Sequence, residues 1–235
     1  MSEVVLITGG ARRLGSVIAR TLIQKGYRVV VHYNKSEEAA RVFEKTHGAK
    51  IVQGDLSIPE AIEPIFQEAL TRYGEIDHVI NNASCFERGT IGELTLEAYQ
   101  RMMNLHATAP LFLSQALYRH LLERGRTGSI INIVDAGVSK PTASRVGYYL
   151  SKGALLEQTK VLAVAFGPTL RVNALSPGAV LSTEDDEGYF GRMQRILPLG
   201  RTGTAEAVAE GVLYLLEADF VSGIELPIDG GQKLL

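Results

Sequence analysis

Tyr148 and Lys152 stand four residues apart in the run GYYLSKGAL. On a helix this spacing puts both on one face, with Cβ atoms roughly 6 Å apart. A free phenol ionises near pKa ~10, and an adjacent ammonium favours the ionised form. Such a pair can hand a proton to a substrate that is receiving a hydride. Tyr149 competes for the role, but its partner at the same spacing is Gly153, so Tyr148 is the better candidate. A second chemistry is written near the start of the chain, in Thr8-Gly9-Gly10-Ala11-Arg12-Arg13-Leu14-Gly15. Glycines let a backbone turn tightly and approach a pyrophosphate, whose charge then meets a helix N-terminus. Tyr and Lys at this spacing are common by chance, and a lone glycine loop is an ordinary turn as often as a ligand site. Their context decides.

The glycine loop falls between a β-branched run, Val4–Ile7, and a helical pattern, Leu14–Lys25, closed by Gly26 at the cap position. Further strands are expected at Val29–Val31, Lys50–Val52, His78–Ile80, Ser129–Ile133 and Arg171–Ala174. Helical periodicity marks Ala61–Tyr73, Leu96–Leu122 and Gly147–Ala165. Strands apolar throughout and separated by helices predict a parallel sheet covered on both faces. The fold class is therefore α/β, a single doubly wound (Rossmann) domain spanning residues 1–235. Ser176–Gly203 is irregular, rich in Gly, Pro and charge, with Glu184-Asp185-Asp186-Glu187 inside it. Because it follows a strand end, where such sheets bind ligands, residues 178–203 read as a substrate loop.

Twenty-six acidic residues against 24 basic ones leave a net charge of −2, without the basic face that a nucleic-acid or membrane-surface partner needs. The single cysteine, Cys85, excludes an intramolecular disulfide framework and any multi-Cys zinc site. The five histidines show no metal-ligand spacing, so no metal is expected. The start, MSEVVLITGG, lacks a signal-peptide layout, and no stretch has the ~20 apolar residues of a membrane span. A cytoplasmic location is expected.

These residues together resemble the short-chain dehydrogenases/reductases. The loop is similar to their TGxxxGxG, and Tyr148–Lys152 to their YxxxK, with resemblance running from Val4 to Gly231. It implies that Thr8, Gly9, Arg13 and Leu14 line a nicotinamide cofactor, joined by Asp55-Leu56 and by Asn82-Ala83-Ser84, the last similar to NNAG with serine for glycine. Ser176-Pro177-Gly178 resembles the PG motif, so Pro177 and Gly178 carry over as cofactor positions, and Lys152 as a ribose contact. Asn104 matches the family's structural asparagine, which supports a water-linked proton path to the lysine; a buried polar group satisfying backbone is the alternative. The family also implies a homotetramer.

Two departures sharpen the reading. Arg13 replaces the middle glycine, which adds a permanent positive charge beside a pyrophosphate. After the second strand, Tyr33-Asn34-Lys35-Ser36 contains no acid to hold ribose hydroxyls, while Lys35 and Ser36 suit a 2′-phosphate. NADPH is the expected cofactor. Asp135 stands thirteen residues before Tyr148, where the family usually has a serine. A carboxylate would repel a developing alkoxide but suits a substrate offering N–H donors, or a ring nitrogen gaining positive character. A solvated turn aspartate is the plain alternative. The Asp135–Tyr148–Lys152 set, Arg13 and Phe86 resemble the pteridine and dihydromonapterin reductases of this superfamily. That resemblance implies reduction of a pterin C=N bond, with Arg13, Ser84, Phe86, Asp135 and Tyr148 facing the substrate and Phe86 stacking on its ring. Phe86 as a plain core residue is the rival. Two other functions stay open: a carbonyl reductase acting on a 3-oxoacyl thioester, and a non-catalytic NADP sensor.

Overall fold

A computed structural model describes residues 2–181 and 187–235; Glu184, Asp185 and Asp186 of the expected substrate loop lie outside the described residues. Seven strands form one sheet, β1 (Val4–Ile7), β2 (Arg28–Tyr33), β3 (Lys50–Gln53), β4 (His78–Asn81), β5 (Gly128–Ile133), β6 (Leu170–Pro177) and β7 (Glu225–Ile228). Their order is β3-β2-β1-β4-β5-β6-β7, and every pairing is parallel. All four residues of β1 are buried, as the apolar run requires of a strand covered on both faces.

Helices α1 (Arg13–Gln24), α2 (Glu37–His47) and α8 (Ala205–Glu217) contribute to the apolar layer on one face, and α3 (Pro59–Thr71), α5 (Ala109–Glu123) and the end of α6 (Val146–Ala165) to that on the other. In α1 the stripe Ile18, Ala19 and Leu22 is buried, each large apolar side chain worth about 1.5–3 kcal/mol. Gly26, at φ +93°, ends the helix: its N–H bonds the Ile23 carbonyl and the Tyr27 N–H that of Leu22. This is the left-handed glycine cap expected there.

The pattern over Leu96–Leu122 is not one helix. α4 (Leu96–Met103) and α5 are joined by a π-helical turn, Asn104–Thr108, which shifts the face that each half presents. Inside the expected substrate loop a further helix, α7 (Glu187–Ile196), packs Met193 against Ala179, joined by Leu197 just beyond its end. The chain leaves β1 toward β2 and β3 on one side, and β4 to β7 lie on the other. The crevice beyond the carboxyl ends of β1 and β4 is thus the switch point at which open α/β sheets bind ligands.

Gly15 shows how tightly that crevice is built. A Cβ there would lie 2.3 Å from the Gly9 carbonyl oxygen and 2.7 Å from the Asn82 amide nitrogen. Gly15→Ala is expected to cost about 1–3 kcal/mol, measured by urea unfolding; an unchanged midpoint would show that the loop yields freely.

Candidate active site

The loop after β1 and the loop after β4 are stapled together. Thr8 Oγ1 accepts hydrogen bonds from the Asn82 and Ala83 N–H groups, both 2.9 Å. The Asn82 side chain donates to the Thr8 and Gly9 carbonyls at 2.9 and 3.1 Å. Thr8 is buried and Leu14 packs partly against the core, so the surface left for a ligand is main chain and the exposed Arg13. The first turn of α1 carries no acid and no side chain caps its amides, which leaves N–H groups for an anion. Gly9 adopts φ +63° and Arg13 φ +52°. The left-handed value explains why the related loop carries glycine at this point. An arginine held there costs about 1–2 kcal/mol.

His32 of β2 buttresses the same loop. Its Nδ1 accepts from the Gly9 N–H at 3.2 Å and its Nε2–H donates to the Gly54 carbonyl at 3.1 Å. Burial lowers its pKa to about 4, so the neutral ring keeps both roles. No motif in the sequence singled it out.

At the end of β2, Asn34 and Lys35 are exposed and Ser36 begins α2 without capping it by its side chain. The first acid beyond, Glu37, is committed to Arg41 at 2.7 Å. The position that would hold ribose hydroxyls through a carboxylate is therefore vacant of acid, as expected. Asp55 accepts from the Ser57 N–H and hydroxyl at 2.9 and 2.7 Å. Burial pushes its carboxyl up, but bonds from Ser57 and Asn34 and the charge of Lys35 together hold it below the usual range. The side chains of Tyr33 and Leu56 both lie in the core. Only their main chains are left to face a cofactor, which narrows the role expected for them.

The reacting centre sits where β5 meets α6. Asp135 caps the 3₁₀ turn Ala136–Ser139, its Oδ1 accepting from the Gly137 N–H at 2.6 Å. Its Oδ2 accepts from the Tyr148 hydroxyl at 2.9 Å. Asp135 is thus no solvated turn residue. Lys152 is fully buried and donates to the Ile133 carbonyl at 2.8 Å. Burial lowers its pKa to about 8, against the raising effect of Asp135. The phenol differs from the expectation that the lysine acidifies it. Burial, then the charge and hydrogen bond of Asp135, raise Tyr148 well above the ordinary tyrosine value. Tyr148 is held as a protonated donor.

Asn104 stands where α4 passes into the π turn, and its amide donates to the Ser57 carbonyl at 3.0 Å, the backbone-satisfying contact weighed as the alternative to a proton-path role. His106, two residues on, lies against Tyr148, with ring centroids 5.7 Å apart. A helix wheel run through Leu96–Leu122 without a break could not have found it. Phe86 is half exposed, edge-on to Tyr148 at 5.0 Å, with the Arg145 guanidinium 4.3 Å over its ring. It is a site residue, not a core one, but Arg145 already covers it. Gly89 forms a parallel bridge to Arg145, tying the Phe86 loop to the start of α6. From α7, Tyr189 comes within electrostatic reach of Asp135 and bonds Gln232; burial raises its pKa. The sequence did not single out Arg145 or Tyr189. Pro177 ends β6, and the Gly178 N–H bonds the Ile228 carbonyl, where a Cβ would meet Asp229 at 2.8 Å. Burial, and then the charge of Glu87, push the Cys85 thiol pKa up, which disfavours the thiolate.

A family profile for "Enoyl-(Acyl carrier protein) reductase" matches residues 9–233. The chain belongs to the short-chain dehydrogenase/reductase family. Among curated relatives, the dihydromonapterin reductase of Shigella boydii is 31% identical over 232 residues, covering 98% of this chain and 96% of that one. A protein named as a ketoacyl reductase of the granaticin polyketide synthase, from Streptomyces violaceoruber, is also 31% identical, over 243 residues, covering 100% and 97%. Among solved structures, FolM alternative dihydrofolate reductase 1 from Brucella canis, complexed with NADP, superposes with a TM-score of 0.92 at 33% identity, covering 99% of this chain and 95% of that one.

Arg13→Gly should relieve the left-handed strain and raise unfolding stability by about 1 kcal/mol, read by urea denaturation. The same variant should bind NADPH several-fold more weakly by fluorescence titration, if the exposed guanidinium meets the cofactor's phosphates as its place at the start of α1 predicts. Loss of stability would mean that the arginine side chain does more for the fold than its backbone costs.

Proposed function

We propose that this protein is an NADPH-dependent reductase of a C=N bond in a reduced pterin, such as dihydromonapterin or dihydrobiopterin, with dihydrofolate as a further substrate. The observation that carries it is the Tyr148–Asp135 hydrogen bond. Overall identity does not separate pterin from carbonyl chemistry, because the dihydromonapterin and ketoacyl reductases are equally similar. The carboxylate does. A ketone oxygen seeking the Tyr148 proton would have to sit beside Asp135 and build negative charge there, an arrangement that raises the barrier. A pterin brings N–H groups that a carboxylate accepts.

The residues fit a nicotinamide dinucleotide phosphate. The uncapped start of α1, Gly9 and Arg13 would hold the pyrophosphate; Asn34, Lys35 and Ser36 the 2′-phosphate; Asp55 and the Leu56 main chain the adenine. Asn82, Ala83 and Ser84, with Pro177, Gly178 and Lys152, would hold the nicotinamide end. When bound, the cofactor supplies hydride to the ring carbon. Tyr148, kept protonated by burial and by Asp135, is poised to give a proton to the adjoining nitrogen. Asp135 accepts from substrate N–H groups and receives the phenol proton's hydrogen bond between turnovers. Lys152 places positive charge at the base of this pair.

The reading takes residues 1–235 as one catalytic domain and extends to a homotetramer. Leu150, Val161 and Val164 of α6 and Phe112 of α5 are exposed apolar side chains of the kind that a second copy covers. Among the described residues no helix is long and apolar enough to cross a membrane, and a cytoplasmic site of action fits the cofactor.

Asp135→Ser tests the function directly. Pterin turnover should fall at least ~tenfold, about 1.4 kcal/mol of transition-state stabilisation, with NADPH affinity nearly unchanged. Unaltered pterin kinetics, with acetoacetyl thioester reduced faster than any pterin by the wild type, would favour the carbonyl reading. The cofactor is tested by Lys35→Asp, which should weaken NADPH tenfold or more while sparing NADH, since it removes a charge-assisted phosphate contact of about 1.5–3 kcal/mol. Equal weakening of both would show that Lys35 does not read the phosphate.

A further inference from the structure

His106 is almost fully buried, at 1% exposure, and its ring nitrogens make three contacts that together fix its protons. Nε2 accepts from the Cys85 backbone N–H at 3.2 Å, and a backbone N–H can only donate. Nε2 is therefore bare, and Nδ1 carries the hydrogen. Nδ1–H then donates to Ser151 Oγ at 2.8 Å, and Ser151 passes its own hydrogen to the Tyr148 carbonyl at 2.8 Å. The remaining contact, Ser84 Oγ at 3.0 Å from the bare Nε2, runs from the hydroxyl to the imidazole, which is a nearer acceptor than the Cys85 carbonyl at 3.4 Å. Burial first, and the charge of Lys152 second, lower the histidine pKa to about 2, so the ring stays neutral at any working pH.

We propose that His106 is a positioning residue that draws the Ser84 hydroxyl hydrogen inward, so that Ser84 meets the bound ligand as an acceptor for a planar N–H group. Ser84 is exposed, at the start of the loop that carries Phe86, and with its hydrogen committed it has lone pairs to offer outward. One imidazole thereby joins three parts of the site: the loop after β4, the π turn between α4 and α5, and Ser151, the neighbour of Lys152 on α6. The matching N–H belongs either to the nicotinamide carboxamide or to the amino and ring nitrogens of the pterin. The inference rests on the reading of the site as a nicotinamide-dependent reductase, and its test separates the two sources.

Three measurements on the full-length protein decide it. NMR of ¹⁵N-histidine-labelled protein should show His106 protonated at Nδ1 and bare at Nε2, before any ligand is added. A hydrogen on Nε2 would overturn the proposal. NADPH titration without substrate reads the carboxamide, and the pterin KM at saturating NADPH reads the substrate. Ser84→Ala and His106→Leu should each raise one of these constants about tenfold, and the double variant should be no more than about twofold worse than either single one. His106→Gln, which can still accept and donate, should recover most of the loss. Independent, multiplying effects would show that His106 does not act through Ser84. If His106→Leu fails to fold, Ser84→Ala with the glutamine variant decides: unchanged constants in Ser84→Ala overturn the proposal. If the wild type reduces no pterin, the functional reading fails, and His106 is judged on NADPH binding alone, where no loss counts against it.

Discussion

A buried ammonium fixes the geometry of this protein's centre. Lys152 lies in an interior where a charge is costly, and what holds it is the last carbonyl of β5 together with the field of Asp135 one turn beyond. Helix α6 must therefore sit with one register against the end of β5. Tyr148, one helical turn earlier, then arrives at Asp135 and not at the carbonyl, and Ser151 arrives at His106. A single substitution in the turn after β5, aspartate where the family usually has serine, thus decides which proton partner the phenol finds.

That arrangement changes the electrostatic description of the donor. A neighbouring ammonium would acidify a phenol, whereas a carboxylate in hydrogen-bond contact keeps it neutral. Here burial and the Asp135 carboxylate in contact with the hydroxyl keep the phenol protonated. Asp135 is part-buried and keeps its Gly137 N–H bond, so the oxygen facing Tyr148 is the one open to another donor.

Much of this was legible in the chain. Strands apolar on both faces announced a covered parallel sheet, spacing and context along it picked out the glycine loop and Tyr148–Lys152, and the family resemblance drew attention to Asp135. What failed had local causes. The single helix expected over Leu96–Leu122 is broken by a π turn, which moves every later side chain, His106 among them, off the expected face. α7 was hidden by Gly, Pro and charge, since its packing onto Ala179 is a tertiary contact that periodicity does not report. His32 and His106 lie in apolar stretches and work through hydrogen bonds to backbone and hydroxyls, for which no spacing rule exists. Leu56 was counted by motif and Tyr33 by its place at the end of β2, and neither distinguishes a main-chain contact from a side chain that has turned into the core.

The bridge between Gly89 and Arg145 has a consequence for how the site comes apart. Gly89 donates to the Ser144 carbonyl and accepts from the Val146 N–H, while Arg145 lies over Phe86. Neither the loop after β4 nor the first turn of α6 can fray without releasing the other. Phe86 and Tyr148 therefore belong to one cooperative unit, opening and closing together with a single local free energy. A half-assembled pocket, with the aromatic wall formed and the acid absent, is not a state this connectivity favours.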